Sequence, residues 1–148
     1  MSEGQINASA SLGARLCILS SSSSGNCSVL HIKSAGREYT VLIDAGLSPR
    51  RTREFMARVG LSDRIDHVLL THLDHDHWYA GWINGMPKGA IIHMHRRHRG
   101  RGDRMGATTL HTELFTESFE IVPGVVVHPL LVAHDDLGTA AFRIEFSG

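Results

Sequence analysis

Apolar residues along this chain come in short runs separated by polar breaks, and most of the runs are too short for anything but strands. "RLCIL" (15–19) and "CSVLHI" (27–32) flank the serine run Ser20–Ser24 with Gly25 and Asn26, a turn that makes the two strands a hairpin. "AGRE" (35–38) turns the chain into a third strand, "YTVLI" (39–43), which Asp44-Ala45-Gly46 breaks. From about Ser48 to Val59 the period changes, with Phe55, Met56 and Val59 on one face of a helix. "HVLL" (67–70) and "GAIIHM" (89–94) are the unbroken apolar runs expected of buried strands, with a short helix between them from Trp78. The basic stretch "HRRHRGRGDR" reads as a loop. After it, "ELF" (113–115), "FEIV" (119–122), "VVVHPLLVA" (125–133) and "AAFRIEF" (140–146) give strands with few helical signals. Met1 to Ala14 fits neither period and is expected to be disordered, leaving residues 15–148 as a single domain. The order of elements predicts an α/β (α+β) class, a sheet faced by helices.

Charge narrows little. Lys plus Arg and Asp plus Glu balance at 15 each, so no global field calls for nucleic acid, a membrane surface or an acidic substrate. No apolar run approaches the roughly 18 residues of a membrane span, and no signal peptide is evident. With Cys17 and Cys27 as the only cysteines, the expectation is a cytoplasmic protein with free thiols. Histidine is the outlier at eleven, and His72, His75, His77, His93, His95 and His98 lie in one short part of the chain. That concentration asks for metal or proton chemistry.

"VLLTHLDHDHW", from Val68 to Trp78, holds the densest cluster. His72, Asp74, Asp76 and His77 follow a strand and precede a helix, so they occupy the strand-to-helix loop where open α/β sheets bind ligands. A loop folds several side chains toward one point, whereas a strand sends alternate residues to opposite faces. Imidazole and carboxylate together suit a divalent Zn, Mn or Fe ion. Without a cation, so many titratable groups in six residues would repel or titrate awkwardly.

The stretch His72-Leu73-Asp74-His75-Asp76-His77, preceded by Thr71, resembles the His-x-His-x-Asp-His hallmark of metallo-β-lactamase-fold hydrolases. Asp74 stands where the second histidine usually does, as in members fused to DNA-uptake channel proteins. "SSSSGNC" (21–27) and "LIDAGLSPRR" (42–51) are similar to segments of the bacterial branch associated with cell-wall metabolism and related to DNA exonucleases. The resemblance implies an αββα sandwich. It implies one metal held by His72, Asp74 and His134, a second by Asp76 and His77, and Asp44 supporting the loop from behind. Asp76 would also orient the attacking water, making it the catalytic residue, with a metal-bound hydroxide as nucleophile. A carboxylate at position 74 softens the preference for zinc and leaves Mn or Fe plausible.

By the same resemblance the chain covers about the first half to two-thirds of the fold, and the family's later aspartate and histidine ligands have no position in it. The expectation is a C-terminally incomplete sandwich with one metal, or two where missing ligands are supplied, and an open sheet edge suited to homo-oligomers. Arg96, Arg97, Arg99, Arg101 and Arg104 crowd the basic stretch, and Arg96, Arg97 and Arg99 are candidates for gripping a nucleic acid or small phosphodiester. Trp78 and Trp82 either wall a pocket or pack a helix. The leading expectation is phosphodiester, nuclease-like hydrolysis. Its rivals are hydrolysis of a small ester, thioester or lactone, and a catalytically incomplete metal-binding or assembly module.

Overall fold

Tight turns between runs of similar length make the first three strands an antiparallel meander in the computed structural model, which describes residues 12–147. These are β1 (Gly13–Ser22), β2 (Gly25–Ser34) and β3 (Arg37–Ile43). The connection from β3 then crosses over through α1 (Pro49–Arg58), which only a parallel strand requires, and β4 (His67–Leu69) indeed pairs parallel to β3. After α2 (Trp82–Gly85), β5 (Ile91–His95) continues in parallel, and after α3 (Arg99–Arg104) so does β6 (Thr112–Phe115). The six strands lie in sequence order in one sheet. A second sheet, of β7 (Phe119–Val122), β8 (Val125–Val132) and β9 (Thr139–Phe146), is antiparallel throughout.

Strand alternation sorts the core into two layers. On β2, Cys27 and Val29 point to the helices, where they join Met56, Leu70, Trp78, Trp82, Ile92 and Met94. Leu30 and Ile32 point the other way and meet Val125 and Val127 between the sheets. Helix α1 starts where Ser48 Oγ accepts from Arg51 N–H at 3.2 Å and Pro49 occupies the first turn, and it buries Thr52 and Met56.

Some sequence expectations shift. The serine run is mostly strand, because Ser20 to Ser22 pair with Cys27, Asn26 and Gly25. The basic stretch is helical: His95 Nδ1 accepts from Arg97 N–H at 3.1 Å, and a 3-10 turn over Arg96–His98 leads into α3. Its glycines do not prevent this, since a Cβ on Gly102 would stand 3.0 Å from Met94 Sδ and the helix needs that close approach. Trp78 lies before α2 and bridges to Ala45, while Trp82 opens that helix. Both tryptophans are buried on the helix side, so they pack the core. Leu12 packs against the core between the sheets, Gly13 and Ala14 begin β1, and residues 1–11 of the segment expected to be disordered lie outside the described residues. Both cysteines are free thiols, Cys27 buried and Cys17 partly so. No helix among the described residues is long and apolar enough to cross a membrane.

The crowded histidines also separate. His93 faces the second sheet, stacked on Phe119 at 5.2 Å between ring centroids, and its Nε2 shares a hydrogen bond with His67 Nδ1 at 2.9 Å. It is 3% exposed, and burial, with His67 and His111 as neighbours, pushes its pKa down to about 3. An unfolded histidine takes its proton near pH 6.5, so the unfolded chain binds more protons as pH falls below that. The stabilisation from keeping His93 neutral is thus full above about pH 6.5 and is lost as pH falls toward 3, on the order of a few kcal/mol in all. Urea midpoints at pH 7 and 4.5 should therefore drop in the wild type and drop less in His93→Gln. Equal slopes would show that His93 is not the acid-sensitive group.

Candidate metal centre

Three elements deliver the polar cluster to one end of the sheet. Leu70 and Thr71 continue β4 into the loop holding His72 to His77, β3 ends alongside at Asp44, and the turn between β8 and β9 brings His134 from the second sheet. Asp44 has φ 62°, the left-handed region that a non-glycine residue rarely adopts. This turn lays its carboxylate across the loop. Asp44 Oδ1 accepts from Thr71 N–H at 2.8 Å, Oδ2 accepts from Thr71 Oγ1 at 2.8 Å, and His77 Nδ1 lies 2.5 Å from Oδ2. A carboxylate can only accept, so His77 carries its proton on Nδ1 and turns Nε2 toward the cluster.

Two groups of side chains offer converging ligand atoms, His72 with Asp74 and His134, and His72 with Asp76 and His77. In the first, Asp74 Oδ2 lies 3.3 Å from both His72 Nε2 and His134 Nε2. Donors around a tetrahedral ion at about 2.1 Å stand roughly 3.4 Å apart, so the spacing fits a cation. In the second, His77 Nε2 is 3.5 Å from Asp76 Oδ2. The groups share His72, whose one free nitrogen serves one ion at a time. Its Nδ1 is already engaged, 2.9 Å from Thr71 Oγ1 and 3.1 Å from Thr139 Oγ1.

Electrostatics differ across the cluster. Burial pushes the His72 pKa down, as do His77 and His134, which keeps the imidazole neutral and ready to donate a lone pair. Burial pulls His77 the same way, but the hydrogen bond and charge of Asp44, with Asp76 and Asp74, outweigh it and raise its pKa. For Asp74, burial pushes upward and is outweighed by the His134 hydrogen bond, His72 and Arg101, so the carboxyl ionises below its usual range.

The structure thus brings His72, Asp74, Asp76, His77, His134 and Asp44 together and leaves His75 exposed. Among the described residues no side-chain hydrogen bond or ion pair links Arg96, Arg97 or Arg99 to the cluster. Arg101 makes one instead, with Nη2 at 3.1 Å from Asp74 Oδ1. Asn26 and Thr139 were also missed from sequence. Asn26 Nδ2 donates to Asp76 Oδ2 at 3.0 Å, and its backbone N–H donates to Asp76 O at 2.7 Å. Only the position of Asn26 at the end of a glycine turn hinted at it, and Thr139 carried no signal.

The sequence matches the model of the metallo-beta-lactamase superfamily over residues 23–137. The chain belongs to that superfamily. Its helices and paired sheets agree with the αββα sandwich of metallo-β-lactamase proteins. No curated protein matches the chain. Among solved structures it is similar to a diphosphatase of the PhnP family, with 20% identity and a TM-score of 0.58 over 86% of this chain and 54% of that one. Zn2+-bound PqqB from Methylobacterium extorquens is 24% identical, with a TM-score of 0.56 over 82% and 46%. An N-acyl homoserine lactone hydrolase with its product N-hexanoyl-L-homoserine at the catalytic metal centre is 16% identical, with a TM-score of 0.55 over 79% and 58%. At these identities the likeness is one of fold. The chain spans about half the length of these structures.

Two substitutions test how the loop is held. A Cβ on Gly46 would stand 1.8 Å from Asp76 O, a backbone atom that cannot swing aside. Gly46→Ala should cost about 3 kcal/mol or more, read as a lower urea midpoint. Asp44→Asn tolerates the left-handed backbone but loses the charge facing His77. It should fold normally and bind Zn2+ about tenfold or more weakly in competition with a chelating dye, and unchanged affinity would remove Asp44 from the centre.

Proposed function

We propose that the chain is a metal-dependent hydrolase acting on phosphodiesters. The observation that carries this reading is the arginine-bearing helix α3 standing against the ligand cluster, with Arg101 in contact with Asp74. His72, Asp74 and His134 would hold one divalent ion, and Asp76 with His77 a second. Zn is one candidate, and the carboxylates leave Mn or Fe as others. A bound ion supplies Lewis acidity toward a phosphoryl oxygen. Asp76 orients the attacking water and accepts its proton, while Asn26 Nδ2 holds the carboxylate at Oδ2. Asp44 keeps His77 in the tautomer that points Nε2 inward. Arg96, Arg97 and Arg99, on the 3-10 turn and at the start of α3, are exposed and available to the phosphates of a nucleic acid or small diester. The balanced charge of the whole chain makes this a local grip. We place the reaction in the cytoplasm, where free Cys17 and Cys27 stay reduced.

An apolar cleft of about 520 Å³, lined by Leu16, Leu30, Ile43, Phe142 and Phe146, reaches Thr71 beside His72. It would hold an acyl chain, which favours hydrolysis of a small ester, thioester or lactone as the second reading. The free side of β9, with Phe146 37% exposed and Leu16 and Ile18 open on β1, would also suit pairing with a second copy.

Metal-loaded protein should hydrolyse bis(p-nitrophenyl) phosphate faster than a p-nitrophenyl acyl ester or an N-acyl lactone. A chelator or His72→Ala should abolish the activity, and Asp76→Asn should lower kcat about a hundredfold or more. Preference for the acyl substrates would favour the second reading. Bound metal without turnover of any of the three would leave a metal-binding module.

A further inference from the structure

Asp74 has two carboxylate oxygens, and only one of them faces the ligand cluster. Oδ2 is the atom 3.3 Å from His72 Nε2 and His134 Nε2, while Oδ1 is the atom 3.1 Å from Arg101 Nη2. The other arm of the same guanidinium, Nη1, lies 3.7 Å from Asp135 Oδ2. Asp135 follows His134, and its Oδ1 accepts from Leu137 N–H at 2.8 Å and Gly138 N–H at 3.0 Å, which closes the turn that presents His134. One planar fork therefore spans the two segments that carry the first ligand group. Helix α3 is itself fixed to that turn, because buried His98 holds Gly138 O at 2.9 Å through Nε2. Trp78 Nε1 donates to Met105 O at 3.3 Å, just past the helix, so α3 is also fixed to the metal loop.

We propose that Arg101 is a positioning residue of the metal centre, which holds Asp74 as a one-oxygen ligand and sets the spacing between Asp74 and His134. This rests on reading the cluster as a metal site. Arg101 does not act through the strength of its ion pairs. Its side chain is 31% exposed and that of Asp74 33%, so solvent screens the attraction. What it decides is orientation. A carboxylate free to rotate can present both oxygens to a cation and fill a position a substrate would need, whereas the fork occupies Oδ1 and leaves Oδ2 to the cluster. Two effects oppose each other here, since a guanidinium near the site also repels a cation. Partners that orient metal-binding side chains typically change affinity 10–100-fold, which exceeds what a screened charge supplies. The net effect of removing Arg101 is therefore weaker binding.

Zn2+ affinity by chelator competition and the visible absorption of the Co2+-loaded protein test this on the whole chain. Arg101→Met keeps the apolar stem and removes the fork, and it should weaken Zn2+ binding about tenfold or more and alter the Co2+ bands. Arg101→Lys keeps the charge but cannot span both carboxylates, and it should fall between wild type and Arg101→Met. In an Asp74→His background the imidazole offers one donor toward the cluster and the guanidinium keeps only its Asp135 arm, so adding Arg101→Met should weaken binding clearly less than it does beside Asp74. Unchanged or tighter binding in Arg101→Met, or an equal loss in the Asp74→His background, overturns the proposal. The equal loss would mean that α3 merely supports the fold. Should Arg101→Met fail to fold, Asp135→Asn, which cuts only one arm, decides by the same measurements: weaker binding supports the proposal and unchanged binding overturns it. Wild-type protein that binds neither Zn2+ nor Co2+ overturns the metal reading itself and this proposal with it. Metal bound equally by wild type and Arg101→Met overturns only the role of Arg101.

Discussion

A single carboxylate, that of Asp44, fixes where the polar cluster can form. It sits at the end of β3, next to the end of β4, and its backbone N–H donates to Leu69 O at 2.8 Å, extending the parallel ladder by one step. Its left-handed backbone turns the side chain across the neighbouring strand end, where it takes the Thr71 N–H and hydroxyl and faces His77 Nδ1. Thr71 orients His72, so His72 and His77 both depend on one acid. Gly46, two residues on, lets the chain run against the Asp76 carbonyl, and Asn26 closes the other side. The loop is consequently gripped by the first hairpin as well as by its own strand.

Much of this was legible in the sequence because it is local. The spacing from His72 to His77, the break at Asp44-Ala45-Gly46 and the apolar runs of β3, β4 and β8 each lie within a few residues, where periodicity and turn chemistry operate. His134 was legible through resemblance rather than pattern. The misses are residues whose roles depend on distant segments. Asn26 reaches across 50 positions to Asp76, Thr139 across 67 to His72, and Arg101 joins Asp74 and Asp135 from a helix of its own. No period encodes such contacts.

The histidine count misled for a related reason. His93, His95 and His98 are close in sequence to the metal loop, yet all three are buried away from it, among aromatic rings and backbone carbonyls. Density of a residue type along a chain is not density in space, because β5 runs beside β4 and its alternate side chains enter the inter-sheet layer. The basic stretch misled in the opposite direction. Its glycines suggested a loop, whereas the small size of Gly102 is what lets α3 approach Met94.

The cluster is divided between the two sheets. His72 to His77 leave the first sheet at β4, while His134 and Thr139 belong to the turn and strand of the second, and the sheets touch at the cluster where Ala140 N–H donates to Thr71 O at 2.8 Å. Contacts this far apart in sequence carry a larger loop-closure cost than those of the local hairpin and crossover units. Residues 26 to 77 carry the whole of the second ligand group, but the third member of the first comes from the turn of the second sheet. Completion of the first ligand group is therefore a marker of sheet docking, since the second group lies wholly within the loop while the first lacks His134 until the sheets meet.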